Sequence, residues 1–457
     1  MSASSAFGAA ALARTLAWRD GAALTLAQCI AEAAAFAERL PAHGQPVNLC
    51  NDRYLFTLAW LAALLRGQTS LMPPNAMPHT LHQLGDPAHP AYALIDDPAQ
   101  DTGDVPSFVV ARPAVVGAGA TLQVDAQQWV ACLLTSGSTG APQPQRKRWD
   151  ALHASIDAEA RSLCALLEWP SIAGLNIVAT VPPQHSYGFE SSVLLALLGG
   201  AAFDAGRPFY PADIAEALAR LPRPRALVTT PVHLKALLLS GASLPPVDLV
   251  LSATAPLSPQ LAQQTETRLS GRLIEIYGCT EAGQVAARRT TATDVWTTLA
   301  GLRIAREAAD EGDRFIVDGG HVLEPTPLAD QLELLDAQHF RLLGRANDLI
   351  HVAGKRSSLG HLNFHLNRID GVEDGAFWLP DDVTDGVVRL VAFVVAPRLS
   401  ARQIIAALRP LVESAFLPRR VVHVDALPRQ ATGKITAQAL RDFALRTLAQ
   451  TDRRRGR

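Results

Sequence analysis

A chain of 457 residues, 48% hydrophobic and 18% charged, has room for roughly two to four domains and is too apolar for a disordered protein. Its 41 Lys and Arg against 43 Asp and Glu leave a net charge of −2, which argues against a nucleic-acid-binding polycation. The five cysteines (Cys29, Cys50, Cys132, Cys164 and Cys279) are scattered, with no CxxC pair, as expected of a chain kept in a reducing cytoplasm.

Taken in chain order, the N-terminus lacks the basic start of a secretory leader. Residues 55–65 have helical spacing and stop before the Pro73-Pro74 turn. An apolar strand over 129–134 runs into Thr135-Ser136-Gly137-Ser138-Thr139-Gly140-Ala141-Pro142. Six small residues after a strand suit a phosphate nest, since glycine permits close backbone approach. The alternative is a Ser/Gly linker, and the lysine of a P-loop is missing at its spacing. The run 193–203 is too short to span a bilayer, and no membrane span is expected. Apolar runs over 176–181, 226–229, 247–252 and 273–276 read as buried strands, with helix-like stretches at 214–221 and 259–269 between them. Such alternation predicts an α/β fold with parallel sheets.

Three further segments carry chemistry. Ile276-Tyr277-Gly278-Cys279-Thr280-Glu281-Ala282 places a ring, a glycine, a hydroxyl and a carboxylate at a strand end, where open α/β sheets bind ligands. Tyr277 suits stacking on a base, Thr280 a phosphate contact and Glu281 Mg²⁺; an ordinary strand-to-helix turn is the plainer alternative. Gly344-Arg345-Ala346-Asn347-Asp348 leads to Gly354-Lys355-Arg356, and Thr432-Gly433-Lys434 follows Leu427-Pro428. Residues 347–457 hold 17 Lys and Arg against 11 Asp and Glu, a net of +6; the remainder carries −8. The chain is therefore divided into 1–346, 347–446 and a basic tail at 447–457, expected to fray.

In this order the four segments resemble the acyl-adenylating (AMP-binding) superfamily of acyl- and aryl-CoA synthetases, peptide-synthetase adenylation domains and luciferases. Asp330, fourteen residues before Gly344, matches the superfamily's ribose-binding Asp. Pro182-Pro183-Gln184-His185-Ser186-Tyr187-Gly188 resembles the segment beside the acyl pocket, with His185 as its gate. Ser252-Ala253-Thr254-Ala255-Pro256-Leu257 resembles the adenine-binding turn. More loosely, the glycine loop with Pro142-Gln143-Pro144 and Lys147 is similar to the carrier-protein ligases of bacterial aryl-polyene and xanthomonadin pigment pathways.

The resemblance implies a large N-terminal part of two doubly wound subdomains plus a small β-rich piece ending near Gly344. A small, mobile α+β C-terminal domain follows. It implies ATP and Mg²⁺ as cofactors, and two steps: acyl-adenylate formation with loss of pyrophosphate, then attack by a phosphopantetheine thiol. The catalytic set is Lys434, Glu281, Thr280 and His185, with Glu281 on the metal. ATP and AMP are assigned to Thr135, Ser136, Gly137, Ser138, Thr139, Gly140, Lys147, Ala253, Thr254, Ala255, Tyr277, Gly278, Asp330 and Arg345. Asn347 is the expected hinge and Gly354 lies at the thiol tunnel.

Departures mark a divergent member. The loop's usual Pro-Lys-Gly is Pro142-Gln143-Pro144, so Lys147 or Arg146 is the candidate phosphate-facing cation. The glycines of the adenine turn are Ala253 and Thr254. An aromatic acid of the hydroxybenzoate kind is the expected substrate, delivered to coenzyme A or to an acyl carrier protein supplied in trans. A fatty acyl-CoA synthetase and a nucleotide-holding relative without turnover remain as alternatives.

Overall fold

The structure is a computed structural model that describes residues 7–85, 89–114, 121–136, 142–308, 313–345, 349–352, 355–380, 390–429 and 435–455. Its architecture is the expected α/β one. The largest sheet has eleven strands, in the order Asp330–Leu334, His339–Arg345, Trp296–Thr298, Gly283–Arg288, Arg272–Cys279, Leu249–Ser252, Arg225–Thr229, Asn176–Ala179, Ala202–Asp204, Thr15–Arg19 and Ala22–Thr25. Its middle, from Thr15–Arg19 to Arg272–Cys279, is parallel, and helices such as Pro211–Arg220 and Pro259–Leu269 alternate with the strands. Strands covered on both faces need no polar side, which is why 226–229 and 249–251 are continuous apolar runs.

A second sheet of six strands runs Ser107–Val109, Ala91–Ile95, Gln45–Asn48, Ser70–Met72, Trp129–Ser136 and Pro142–Arg148. Helix Arg53–Leu65 begins at Asp52, whose carboxylate accepts from Leu55 N at 2.9 Å, an ordinary N-cap. Twelve of its residues are buried, Arg53 to Leu64. Arg53 donates to Ser192 Oγ at 3.0 Å, Val181 O at 2.7 Å and Gly206 O at 2.8 Å, so one buried guanidinium ties this helix to the larger sheet. Trp60 and Phe189 meet edge to face with centroids 5.1 Å apart. The two sheets thus share one core rather than two.

The β-rich piece is built in two parts. Leu302–Glu307, Arg314–Gly319 and Val322–Leu328 make a separate antiparallel sheet, whereas 330–345 is a hairpin that extends the large sheet. The reason is register: Trp296 pairs with Phe340, and their rings stack at 6.4 Å.

Beyond it, Leu349–Val352 and Lys355–Ser358 form a hairpin. Asp374–Trp378, Val391–Val395 and Arg420–His423 form a small sheet packed on helices Leu359–Asn367, Ala401–Leu408 and Ala437–Arg455. The last helix runs on through 447–455. Its apolar side, with Leu440, Phe443, Ala444 and Leu448, packs on Phe393 and Trp378, so the basic residues beyond it continue an anchored helix. Lys235, on helix Pro231–Leu239, donates to Val372 O at 2.7 Å and so ties this part to the large one. No helix among the described residues is long and apolar enough to cross a membrane.

Candidate active site

The strands Trp129–Ser136 and Pro142–Arg148 pair antiparallel, Thr135 opposite Gln143 and Ser136 opposite Pro142. The pairing runs up to both flanks of the glycine-rich segment, and Thr135 Oγ1 donates to Gln143 O at 3.4 Å. Gly137, Ser138, Thr139 and Gly140 lie outside the described residues, as do Asn347, Gly354 and Lys434.

Alternation along the second strand separates the two candidate cations. Arg146 is exposed and borders a cleft with His43, Gln68 and Trp129 on the hairpin's other side. Lys147 points inward and is 9% exposed, and its Nζ donates to the backbone carbonyl of Glu281 at 3.0 Å. This corrects Arg146 as a phosphate-facing residue and gives Lys147 a protein partner inside the site.

The strand Arg272–Cys279 ends at this point and returns as Gly283–Arg288. Gly278 is exposed, and a Cβ on it would lie 2.3 Å from Gly283 O, so only glycine permits the crossing. Gly283 has φ +79°, with Glu190 and His321 against it. Between the two glycines, Thr280 is half-buried and Glu281 exposed. No group of three or more metal-ligating side chains exists among the described residues. A single exposed carboxylate fits Mg²⁺, which takes one or two carboxylates together with substrate phosphates and water.

The buried ring of Tyr277 packs against both Trp296 and Phe340, at 5.7 and 5.6 Å, and its hydroxyl donates to Asp330 Oδ2 at 2.8 Å. It thus braces the carboxylate that the sequence singles out for a ribose. Asp330 pairs directly with Arg345 across the hairpin, so two candidate nucleoside contacts start from opposite positions on neighbouring strands. In the adenine turn, Ala253 is buried, Thr254 exposed and Ala255 half-buried. Thr254 keeps φ +78°, a left-handed conformation that a β-branched residue adopts only under constraint. The constraint is Glu275: buried, it accepts from Leu257 N at 3.2 Å and from Arg288 at 2.7 Å.

Beside the strand ends, helix Ser186–Gly188 starts after His185, which is half-buried, and leads into a π-helical turn over Phe189–Leu194. This turn aims Glu190 and Ser191 at Gly283–Arg288. Gln284 N donates to Glu190 Oε2 at 3.3 Å, Gln284 Nε2 to Ser191 Oγ at 3.1 Å, and Ser191 Oγ to Glu159 Oε1 at 2.9 Å. None of these was singled out in the sequence, although Glu190-Ser191-Ser192 interrupts an apolar run and so carried a signal. Burial pushes His321 down to about 4, so it is neutral at pH 7, and pushes Cys279 up to about 12.

Burial also pushes Glu159 up to about 8. Its folded value lies above its unfolded one, so the folded chain binds the extra proton between pH ~4.5 and ~8, and stability falls as pH rises through that window. Glu159→Gln is expected to raise the melting temperature at pH 8 by a few degrees and to flatten its decline from pH 5 to 8. Thermal unfolding across that range checks it, and an unchanged slope contradicts it.

Two sheets bring together the strand pair 129–136 and 142–148, an exposed carboxylate turn and a braced aspartate, an arrangement suited to a nucleotide-dependent α/β enzyme. The sequence profile described as "AMP-binding enzyme" matches residues 13–308. The 4-coumarate–CoA ligase of Rhodobacter capsulatus is 33% identical over 304 residues, covering 66% of this chain and 73% of that one. That of Halorhodospira halophila is 30% identical over 334 residues, covering 70% and 79%. Among solved structures, the O-succinylbenzoate coenzyme A synthetase of Bacillus subtilis, in complex with ATP and magnesium ion, superposes with a TM-score of 0.76. It is 17% identical and covers 94% of this chain and 97% of its own. The chain belongs to the AMP-binding enzyme family.

Proposed function

We propose that this chain is an AMP-forming acid–thiol ligase that activates a hydroxylated aromatic acid with ATP and passes the acyl group to a phosphopantetheine thiol. The observation that carries the reading is the Tyr277–Asp330 hydrogen bond at 2.8 Å. It joins the carboxylate suited to a ribose to the strand that, three residues on, presents Thr280 and Glu281. Nucleoside and triphosphate contacts, carried by two different strands, are thus tied together by one side-chain hydrogen bond.

In the first step a carboxylate attacks the α-phosphate of ATP and pyrophosphate leaves. Both reactants are anionic, so positioned cations and donors lower the barrier. Mg²⁺, when bound, neutralises phosphate charge; Glu281 is the residue placed to hold it. Thr280 and the hairpin tip from Thr135 to Gly140 are assigned to the phosphates, and Asp330 with Arg345 to the ribose. Ala253, Thr254 and Ala255 border the adenine. Lys434 is assigned to the carboxylate and α-phosphate. The segment leading to it is anchored by Arg429, which pairs with Asp374 at 2.6 Å. In the second step the small part swings about Asn347, and the thiol enters near Gly354.

The aromatic reading is supported by the 4-coumarate–CoA ligases among its relatives. Coenzyme A is the acceptor that those relatives' names favour. A carrier protein is the second reading, favoured by the +6 on residues 347–457 against −8 elsewhere, since complementary charge steers an acidic partner. Arg420, the first residue of the last strand of the small sheet, and Arg419 just before it are candidate docking charges.

One experiment tests both. ATP–pyrophosphate exchange is measured with hydroxybenzoic, hydroxycinnamic and fatty acids, and the best acid is then offered with coenzyme A or loaded carriers. Hydroxylated aromatic acids are expected to drive exchange. Exchange with fatty acids alone overturns the aromatic assignment, and nucleotide binding without exchange leaves a non-catalytic relative. Transfer to carriers that falls with rising salt selects the second acceptor.

A further inference from the structure

Lys147 is a buried ammonium whose Nζ donates to Glu281 O at 3.0 Å. A buried charge is costly unless its surroundings answer it, so an ammonium here needs a structural reason. The surroundings are specific. Lys147 is the last but one residue of the strand Pro142–Arg148, five residues beyond Pro142, and pairs opposite Ala131. Its acceptor belongs to the residue whose carboxylate is the sole acidic side chain in the turn from Gly278 to Gln284. On the far side of that turn, Gln284 N donates to Glu190 Oε2, and Glu190 is 2% exposed. The turn is therefore held from below at two points, by a cation at Glu281 O and a carboxylate at Gln284 N. Gly283, at φ +79°, lies between them.

We infer that Lys147 is a positioning residue that fixes the Glu281 turn relative to the paired strands Trp129–Ser136 and Pro142–Arg148, so that the carboxylate assigned to the metal is held at a set place for the triphosphate. The inference rests on the proposed reading of the site. A hydrogen bond to a backbone carbonyl sets the height of the turn without occupying the side chain that must face the ligand. It also couples the two segments, because a shift of the hairpin drags Glu281 O with it. Lys147 acts through Glu281 and makes no contact with substrate. The inward alternation of the strand and the Lys147 partner are what distinguish it from a phosphate-facing lysine.

The test measures ATP affinity by calorimetry with Mg²⁺ and with chelator, and AMP affinity with chelator, for the whole chain and for Lys147→Met and Lys147→Arg. The natural chain is expected to bind ATP more tightly with Mg²⁺. Lys147→Met is expected to lose about 10-fold of that Mg²⁺ increment, as for one lost hydrogen bond to a charged group. AMP affinity should stay within about 2-fold, and Lys147→Arg, which keeps a donor, should recover most of the increment. If Lys147→Met does not fold, Lys147→Leu, which likewise has no donor, takes its place with the same expectation. An unchanged Mg²⁺ increment, or equal losses in ATP and AMP affinity, overturns the inference and leaves Lys147 a core buttress. A natural chain whose ATP affinity ignores Mg²⁺ overturns it too. Absence of exchange with every acid, with the Mg²⁺ increment intact and lost in Lys147→Met, sinks the ligase reading and upholds the positioning role.

Discussion

Gly278→Ala is expected to lower the rate of adenylate formation by two orders of magnitude or more while leaving AMP affinity largely intact. A Cβ at 278 would stand 2.3 Å from Gly283 O and 3.0 Å from the Gln284 Cα, and both neighbours are backbone. Neither can rotate away, so the two arms of the turn must part. Thr280 and Glu281 ride between those arms and would move with them. A misplacement of about 1 Å at a reacting centre can cost about 10²-fold in rate. Overpacking of this size also costs about 1–3 kcal/mol of stability. The nucleoside contacts at Asp330 lie on another strand, which is why AMP should still bind. The measurement is ATP–pyrophosphate exchange beside AMP calorimetry. Exchange near the natural rate would show that the turn tolerates a side chain and that the crossing is not what places Glu281.

Much of this site was legible because its residues sit at strand ends, where local pattern and chemistry coincide. The strand over 273–276, the glycine at 278 and the carboxylate at 281 follow one another in sequence, so no long-range contact was needed to group them. Asp330 was legible through its spacing from Gly344, and the structure adds that the two belong to one hairpin. What escaped the sequence depended on pairing between distant segments. The direction of Lys147 follows from its strand's register against Trp129–Ser136, and its acceptor is 134 residues away. The alternation that sets Lys147 on the face opposite Arg146 was the available signal. The contact made by the Tyr277 hydroxyl escaped for the same reason, because its neighbours Trp296 and Phe340 come from later strands. Thr254 shows the converse. A sequence without the glycine suggested that the turn had changed, yet the left-handed conformation persists because Glu275 holds the segment from outside it.

The second large effect is expected at Asp330. Asp330→Ala should weaken ATP and AMP together by about 10²-fold, since a carboxylate bond to a hydroxyl contributes about 1.5–3 kcal/mol and a ribose offers two. Tyr277→Phe removes the donor at 2.8 Å from Asp330 Oδ2 and keeps the ring against Trp296 and Phe340. It should raise the KM for ATP roughly 3–10-fold with little change in kcat, the size of one neutral donor that only orients its partner. The two residues belong to one contact, so their effects should not add. In the Asp330→Ala background, Tyr277→Phe should change ATP affinity by less than about 2-fold. Calorimetry on the two single variants and the double variant closes the cycle. Additive losses would mean that Tyr277 meets the nucleotide on its own account, and the brace between the large sheet's hairpin and the strand bearing Thr280 and Glu281 would have to be abandoned.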